Sequence, residues 1–171
     1  MSVPPPTATE SRPSQATATP AERARQFVDE WLIPHEEQAE RNGGRLPEEV
    51  RTGIIAAAIQ AGLNGGRHSR EHGGQQWSAV DWFGVQEQYG RSTNALHWWV
   101  PDGYNVLEAG SPEQIERYLV PSIAGNMIIS YAVTEELAGS DPSGIAATAT
   151  KAADGWLLNA EKWFVTSGDV A

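Results

Sequence analysis

Apolar residues recur at helical spacing from Ala21 onward, with Ala24, Phe27, Val28, Trp31 and Leu32 on one face and Arg and Glu on the other. Pro34, which has no amide hydrogen to donate, interrupts this first amphipathic helix and leaves a continuation beyond it open. After Asn42-Gly43-Gly44, the run Leu46-Pro47-Glu48-Glu49 puts proline and acids where a second helix begins, and Ile54 to Leu63 carries it to Gly62. Asn64 to Gln76 reads as loop. Ser78 with Asp81 resembles a capping box for a third helix through Phe83, Val85 and Tyr89, ended by Gly90. The apolar, aromatic stretch Asn94 to Ala109 contains Pro101 and Gly103 and predicts a buried helix with a break. Ser111-Pro112-Glu113-Gln114 starts a last helix, expected to end near Tyr118, before Pro121.

At Met127 the period changes to alternation, with Met127, Ile129, Tyr131 and Val133 facing one way and Ile128, Ser130, Ala132 and Thr134 the other, as in a strand. Ile145 to Ala152 and Gly155 to Asn159 flank a hairpin signal at Asp154-Gly155, and Lys162 to Ser167 is a further β-prone run. Helices followed by strands predict an α+β chain. Residues 1–20 are Pro, Ser, Thr and Ala with little to bury and are expected to form a disordered tail. Residues 21–125 then form a helical domain, and 126–171 the start of a β domain whose strands run into the chain end, as in a truncated product or fragment.

Composition narrows the partners. The 171 residues carry a net charge of −10, and their 12 Lys and Arg are scattered, which disfavours a phosphate backbone and excludes nucleic acid from the expected partners. There is no cysteine, so neither a disulfide nor a thiolate metal site is available. No apolar run approaches the ~20 residues of a membrane span. Arg12 is the only basic residue before Pro20, which gives weak support to a transit peptide, and the expected location is cytoplasmic. His35, His68, His72 and His97 lack an HExxH arrangement, and no metal site is expected. Trp31, Trp77, Trp82, Trp98 and Trp99 are expected to build the core between helices.

Two short elements carry candidate chemistry. Thr134-Glu135-Glu136-Leu137-Ala138-Gly139-Ser140-Asp141 leaves a strand for a loop of small residues, where Gly139 permits close backbone approach and Thr134 and Ser140 offer hydroxyls. Alone, it reads equally well as a β-turn with Asx-type bonding from Asp141. Trp163-Phe164-Val165-Thr166 puts an aromatic and a hydroxyl two residues apart on one strand face, which alone reads as core. In this order, with Thr148, Asp154-Gly155 and Asn159 between them, the pair resembles the middle-domain signature of the acyl-CoA dehydrogenase family. Upstream, the resemblance takes in Phe27, Pro34, Gly62-Leu63, Glu71-His72-Gly73-Gly74, Asp81, Glu87, Gly110 to Gln114, Arg117 to Pro121 and Gly125. Glu136 and Ala160 depart from it, standing where the family usually has proline and glycine.

The resemblance implies a β-barrel-like middle domain that binds FAD and acyl-CoA. It implies FAD contacts from Tyr131, Val133, Thr134, Gly139, Ser140, Phe164, Val165 and Thr166. Thr134 would lie at the pyrimidine edge, Phe164 on the ring, Thr166 at N5, and Ser140 near the pyrophosphate or the acyl-CoA substrate. The implied reaction is α,β-dehydrogenation of acyl-CoA, an oxidation of a CH–CH group in fatty acid metabolism. An electron-transfer flavoprotein or oxygen accepts the electrons, and the full-length enzyme is a homo-oligomer. The implied base lies in a C-terminal helical domain, so no catalytic residue is assigned here, and the chain alone is expected to be inactive. Glu135 is structural in the resembling motif. A flavin monooxygenase or nitroalkane oxidase of the same fold is the alternative reading, and a non-catalytic binding or assembly fragment is the alternative of another class.

Overall fold

The computed structural model describes residues 18–171, so the expected tail falls outside the described residues as far as position 17. Its last residues belong to the first helix. α1 spans Pro20–Phe27, and its N-terminus is closed by a capping box in which the Thr19 side chain accepts from Glu22 N and Glu22 accepts from Thr19 N. The chain divides into two compact units, one ending at Gly125 and the other spanning Asn126–Ala171.

In the first unit the helix does pass its proline. α1 widens into a π-helical turn at Val28–Leu32, tightens into a 3-10 turn at Ile33–His35 that contains Pro34, and resumes as α2, Glu36–Arg41. α3 spans Glu48–Gln60, and α4, Ala79–Tyr89, opens on the expected Ser78/Asp81 capping box and closes at Gly90. The last helix corrects the expected stop near Tyr118. α5, Pro112–Gln114, runs through a π turn at Ile115–Leu119 into α6, Val120–Ile123, so the helix contains Pro121. Both prolines therefore sit two residues beyond the end of a π turn, at Leu32-Ile33-Pro34 and Leu119-Val120-Pro121. A wider turn moves the carbonyl that a proline ring would otherwise strike, which lets the helix absorb the residue.

The core of this unit is built from Ala24, Phe27, Val28 and Leu32 together with Ile54 and Ala58 of α3, Val85 and Tyr89 of α4, and Leu96, all buried. α1 and α4 approach closely where Gly84 faces Ala21: a Cβ on Gly84 would lie 3.1 Å from that of Ala21. The tryptophans divide. Trp77 and Trp99 pack partly buried against the core, whereas Trp98 is 54% exposed and Trp31 is also exposed, so the expected tryptophan core is only partly formed.

Asn94–Ala109 is not the expected buried helix. It contains two 3-10 turns, Leu96–Trp99 and Asn105–Ala109, because Asn94 and Ala95 both take positive φ (54° and 53°) and Pro101 and Gly103 break the chain between the turns. Its peptide groups serve the neighbouring loop instead: Gly65 N donates to the Pro101 carbonyl at 2.9 Å, and a ring nitrogen of His68 meets the Gly103 carbonyl at 2.8 Å. That loop, 64–76, is held by Gly74, where an added Cβ would collide with the His68 carbonyl.

His68 is 2% exposed and sits between Glu108 (Nδ1 to Oε1 2.9 Å), the Gly103 carbonyl and Asp102 (Nε2 to Oδ1 3.3 Å). Burial disfavours its charged form, but the hydrogen bonds and charge of Asp102, Gly103 and Glu108 outweigh it and push the pKa up to about 9. His68 in turn holds the Glu108 carboxyl below its ordinary range.

The second unit is mostly extended chain around a two-stranded antiparallel sheet, β1 (Thr148–Ala152) and β2 (Gly155–Asn159), paired from Thr148 with Asn159 to Ala152 with Gly155. The expected hairpin is present, but its first strand starts at Thr148 rather than Ile145. Met127 to Thr134 is not the expected strand and joins no ladder, and Lys162 to Ser167 is turned, with φ of 53° at Phe164 and 60° at Ser167. Alternation prepares a segment for a sheet, but a ladder needs a neighbouring edge, and positive φ takes the last segment out of strand geometry.

The cap and the buried histidine can each be tested by stability. Ser78→Ala should lower stability in denaturant titration by ~1 kcal/mol through loss of the α4 cap. Because the folded pKa of His68 lies above its unfolded value of 6.5, its ionic contribution is full below pH 6.5 and is lost as pH rises through about 9. Thermal melts of the wild type should therefore weaken across that window, while His68→Leu should flatten the dependence and cost ~1–3 kcal/mol at neutral pH.

Candidate functional site

The chain from Met127 ends in a tight turn, where Glu135 N donates to the Ala138 carbonyl and Ala138 N to the Glu135 carbonyl, each at 3.1 Å. Ala138 anchors this turn at 2% exposure. Asp141 then caps the 3-10 turn Pro142–Gly144, accepting from Ser143 N at 2.9 Å; the Ser143 side chain first, and this amide second, hold its carboxyl below the ordinary range. The Asx bonding read from the sequence is thus present, beside the small-residue loop.

Between Asp141 and Lys162 the hairpin reverses the chain and returns it to the first element. Trp163 N donates to the Thr134 carbonyl at 2.9 Å, and Lys162 Nζ donates to the Val133 carbonyl at 2.9 Å and to Glu135 Oε1 at 2.7 Å. Glu135 also accepts from the amides of Ala146 (2.7 Å) and Ala147 (3.1 Å). The Lys162 bond, followed by that of Ala146, lowers the Glu135 pKa. An open cleft of about 420 Å3 lies along this junction, lined by Glu135, Glu136, Leu137, Gly144, Ala146, Ala147, Asn159, Ala160, Glu161 and Trp163. Glu136 and Ala160, where the sequence departs from the family pattern, both lie on its wall.

The two candidate elements are therefore brought together, although not as two strand faces. Val133 and Thr134 are joined to the second element through their carbonyls. Tyr131, Gly139 and Ser140 are exposed, and nothing stands within 4 Å of where a Gly139 Cβ would be. Phe164 is 86% exposed, Thr166 is exposed, and the half-buried Val165 uses its carbonyl to accept from Gly168 N at 3.1 Å. The positive φ of Phe164 overturns the expectation that Phe164 and Thr166 share one strand face. Among the described residues no hydrogen bond joins Gly139 or Ser140 to the second element.

These groups fit a flavin. The hydroxyls of Thr134, Ser140 and Thr166 have no hydrogen-bond partner among the described residues, and the Phe164 ring is 86% exposed, the kinds of group that suit a flat ring with a polar edge. Among the described residues no group of His, Cys, Asp and Glu side chains is disposed to hold a metal ion. Lys162 is the site residue that sequence reasoning missed. The available signal was an opposite charge beside each candidate element, Glu135 by the first and Lys162 by the second.

Residues 15–126 match the family described as acyl-CoA dehydrogenase, N-terminal domain. The chain belongs to the acyl-CoA dehydrogenase family. Over 154 residues it is 32% identical to the mitochondrial long-chain specific acyl-CoA dehydrogenase of Mus musculus, a match that covers 86% of this chain and 34% of the mouse protein. A crystal structure of a probable acyl-CoA dehydrogenase from Mycobacterium abscessus superimposes with a TM-score of 0.74 at 31% identity, over 89% of this chain and 41% of that one. An acyl-CoA dehydrogenase of Bacillus anthracis, solved in complex with FAD, superimposes with a TM-score of 0.70 at 26% identity, over 85% of this chain and 25% of that one. The chain thus spans about a third of the length of the curated relative (34%).

The depressed pKa of Glu135 means that its ties to Lys162, Ala146 and Ala147 hold above the ordinary carboxylate range and are lost only as pH falls through the folded value. In an NMR pH titration the Ala146 and Ala147 amides should move together, with a midpoint below the usual 4.5.

Proposed function

We propose that this chain supplies the flavin-facing elements of an FAD-dependent oxidoreductase that acts on the CH–CH group of acyl-CoA thioesters. The observation that carries the reading is the joining of the Tyr131–Ser140 and Lys162–Thr166 segments by the Trp163 amide and the Lys162 ammonium. The FAD-bound structural relative supports the same assignment.

When bound, FAD accepts the hydride removed from the β-carbon of the acyl chain. Thr134 and the backbone near Val133 would hold the pyrimidine edge of the cofactor, Phe164 would pack on its ring and exclude water, and the Thr166 hydroxyl would supply a donor to N5. Gly139 would leave the loop open to close approach, and Ser140 would serve the pyrophosphate or the thioester arm. Tyr131 and Val165 would add further contacts. Glu135 is not the base: its carboxylate is engaged by Lys162 and two amides, and its low pKa makes it a poor acceptor for the α-proton of a thioester.

The electron acceptor proposed for the whole enzyme is an electron-transfer flavoprotein or oxygen, and the whole enzyme is proposed to be a homo-oligomer. The cytoplasm is the proposed location. No helix of the described residues is long and apolar enough to cross a membrane.

The test is titration of FAD into the isotopically labelled chain. Amide shifts should change within 131–140 and 162–166, and Phe164→Ala should weaken binding ~3–10-fold through loss of ring packing. The chain alone is expected to bind FAD weakly at most; shifts scattered over the helical unit, or a full-length enzyme carrying this chain that takes up no FAD, would overturn the flavin assignment. For the substrate, an FAD-loaded full-length enzyme carrying this chain should bleach on anaerobic mixing with a saturated acyl-CoA; bleaching by a nitroalkane alone would favour the oxidase reading.

A further inference from the structure

We infer that Lys162 is the positioning residue of this site: its ammonium sets the spacing between the two flavin-facing segments through Glu135 and the Val133 carbonyl. The inference rests on the flavin reading and adds a residue that touches neither the ring nor the substrate.

The geometry is specific to this lysine. Its Nζ bonds the Val133 carbonyl, one residue before Thr134, and the Glu135 carboxylate, one residue after it. The next residue along, Trp163, closes the bracket by donating its amide to the Thr134 carbonyl. The peptide that carries the Thr134 hydroxyl is therefore held on both sides from one short stretch, and that stretch leads directly into Phe164 and Thr166. Glu135 extends the tie to a further segment through the Ala146 and Ala147 amides.

Among the charged residues of the unit, burial singles out the same pair. In a unit whose hairpin strands are exposed throughout, the side chains of Lys162 and Glu135 are only 21% and 10% exposed. Charge-assisted bonds shielded from water are shorter and stronger than exposed ones, which suits them to fixing a distance. The groups read as touching the flavin show the opposite: Phe164, Thr166, Ser140 and Gly139 are exposed. Shielding is concentrated in the pair and exposure in its neighbours. A site whose contacts must be placed to a fraction of an ångström depends on such supporting groups.

The experiment is the FAD titration by NMR on wild type, Lys162→Met, Lys162→Arg and Glu135→Gln, with β1–β2 hairpin amides as an internal control. A localized response in the wild type is the arm that tests the flavin reading; with scattered shifts, or a full-length enzyme carrying this chain that takes up no FAD, that reading fails and the inference with it. Given that response, Lys162→Met should weaken FAD binding about tenfold, the loss expected for a shielded charge-assisted bond, and should displace the Thr134 and Phe164 amides even without FAD. Lys162→Arg should restore most of the affinity, and Glu135→Gln should give an intermediate loss. FAD binding by Lys162→Met that matches the wild type would overturn the inference and leave the flavin reading standing. Loss of hairpin and helical-unit signals in Lys162→Met, without rescue by Lys162→Arg, would also overturn it, by showing a general structural role.

Discussion

A peptide group withdrawn from water must find another partner, and this constraint decides the form of both units wherever regular structure stops. In the helical unit, the 3-10 stretch around Pro101 and Gly103 turns its carbonyls to Gly65 and His68, and the loop 64–76 closes on those bonds. His68 lies at their centre as a buried cation that two carboxylates keep charged. In the second unit, where a two-stranded sheet meets few of the demands, one glutamate supplies what a neighbouring strand would have given. Glu135 takes the amides of Ala146 and Ala147, and its lysine partner takes the Val133 carbonyl.

The helices were legible because their signals are local. Ser78 with Asp81, Pro47 with Glu48 and Glu49, and the apolar periods of α1, α3 and α4 each lie within a few residues of what they cause. What failed depended on distant partners. The Asn94–Ala109 stretch is apolar enough for a buried helix, yet its carbonyls at Pro101 and Gly103 serve a loop 35 or 36 positions earlier, at His68 and Gly65. The passage of the last helix through Pro121 needed a π turn, which has no strong composition cue. Alternation at Met127 to Thr134 predicts a strand that is not formed, because alternation carries no information about whether an edge is there to pair with.

The candidate site divides the same way. The order of small-residue loop, hairpin and aromatic-hydroxyl element could be read from the chain, and it led to the family. The bonds that join the two elements could not: Lys162 and Glu135 are 27 positions apart, and a charge beside each motif ordinarily means only a solvated surface. The turn at Phe164 was hidden because an aromatic at positive φ runs against its own backbone preference. The result is a site in which the Lys162–Glu135 pair works as scaffold while Ser140, Phe164 and Thr166 are exposed. That arrangement suits a cofactor recognised by a flat ring and its polar edge.

The hairpin has a consequence for the life of the chain before any cofactor arrives. Trp156, Leu157 and Leu158 are 65%, 67% and 73% exposed, on both faces of a ribbon with free edges. Free edges with apolar side chains are the template on which strands from different molecules stack, and Lys151 opposite Trp156 is the one charge within the ladder to discourage it. Whatever packs on this ribbon therefore removes both its apolar exposure and its unpaired edges at once.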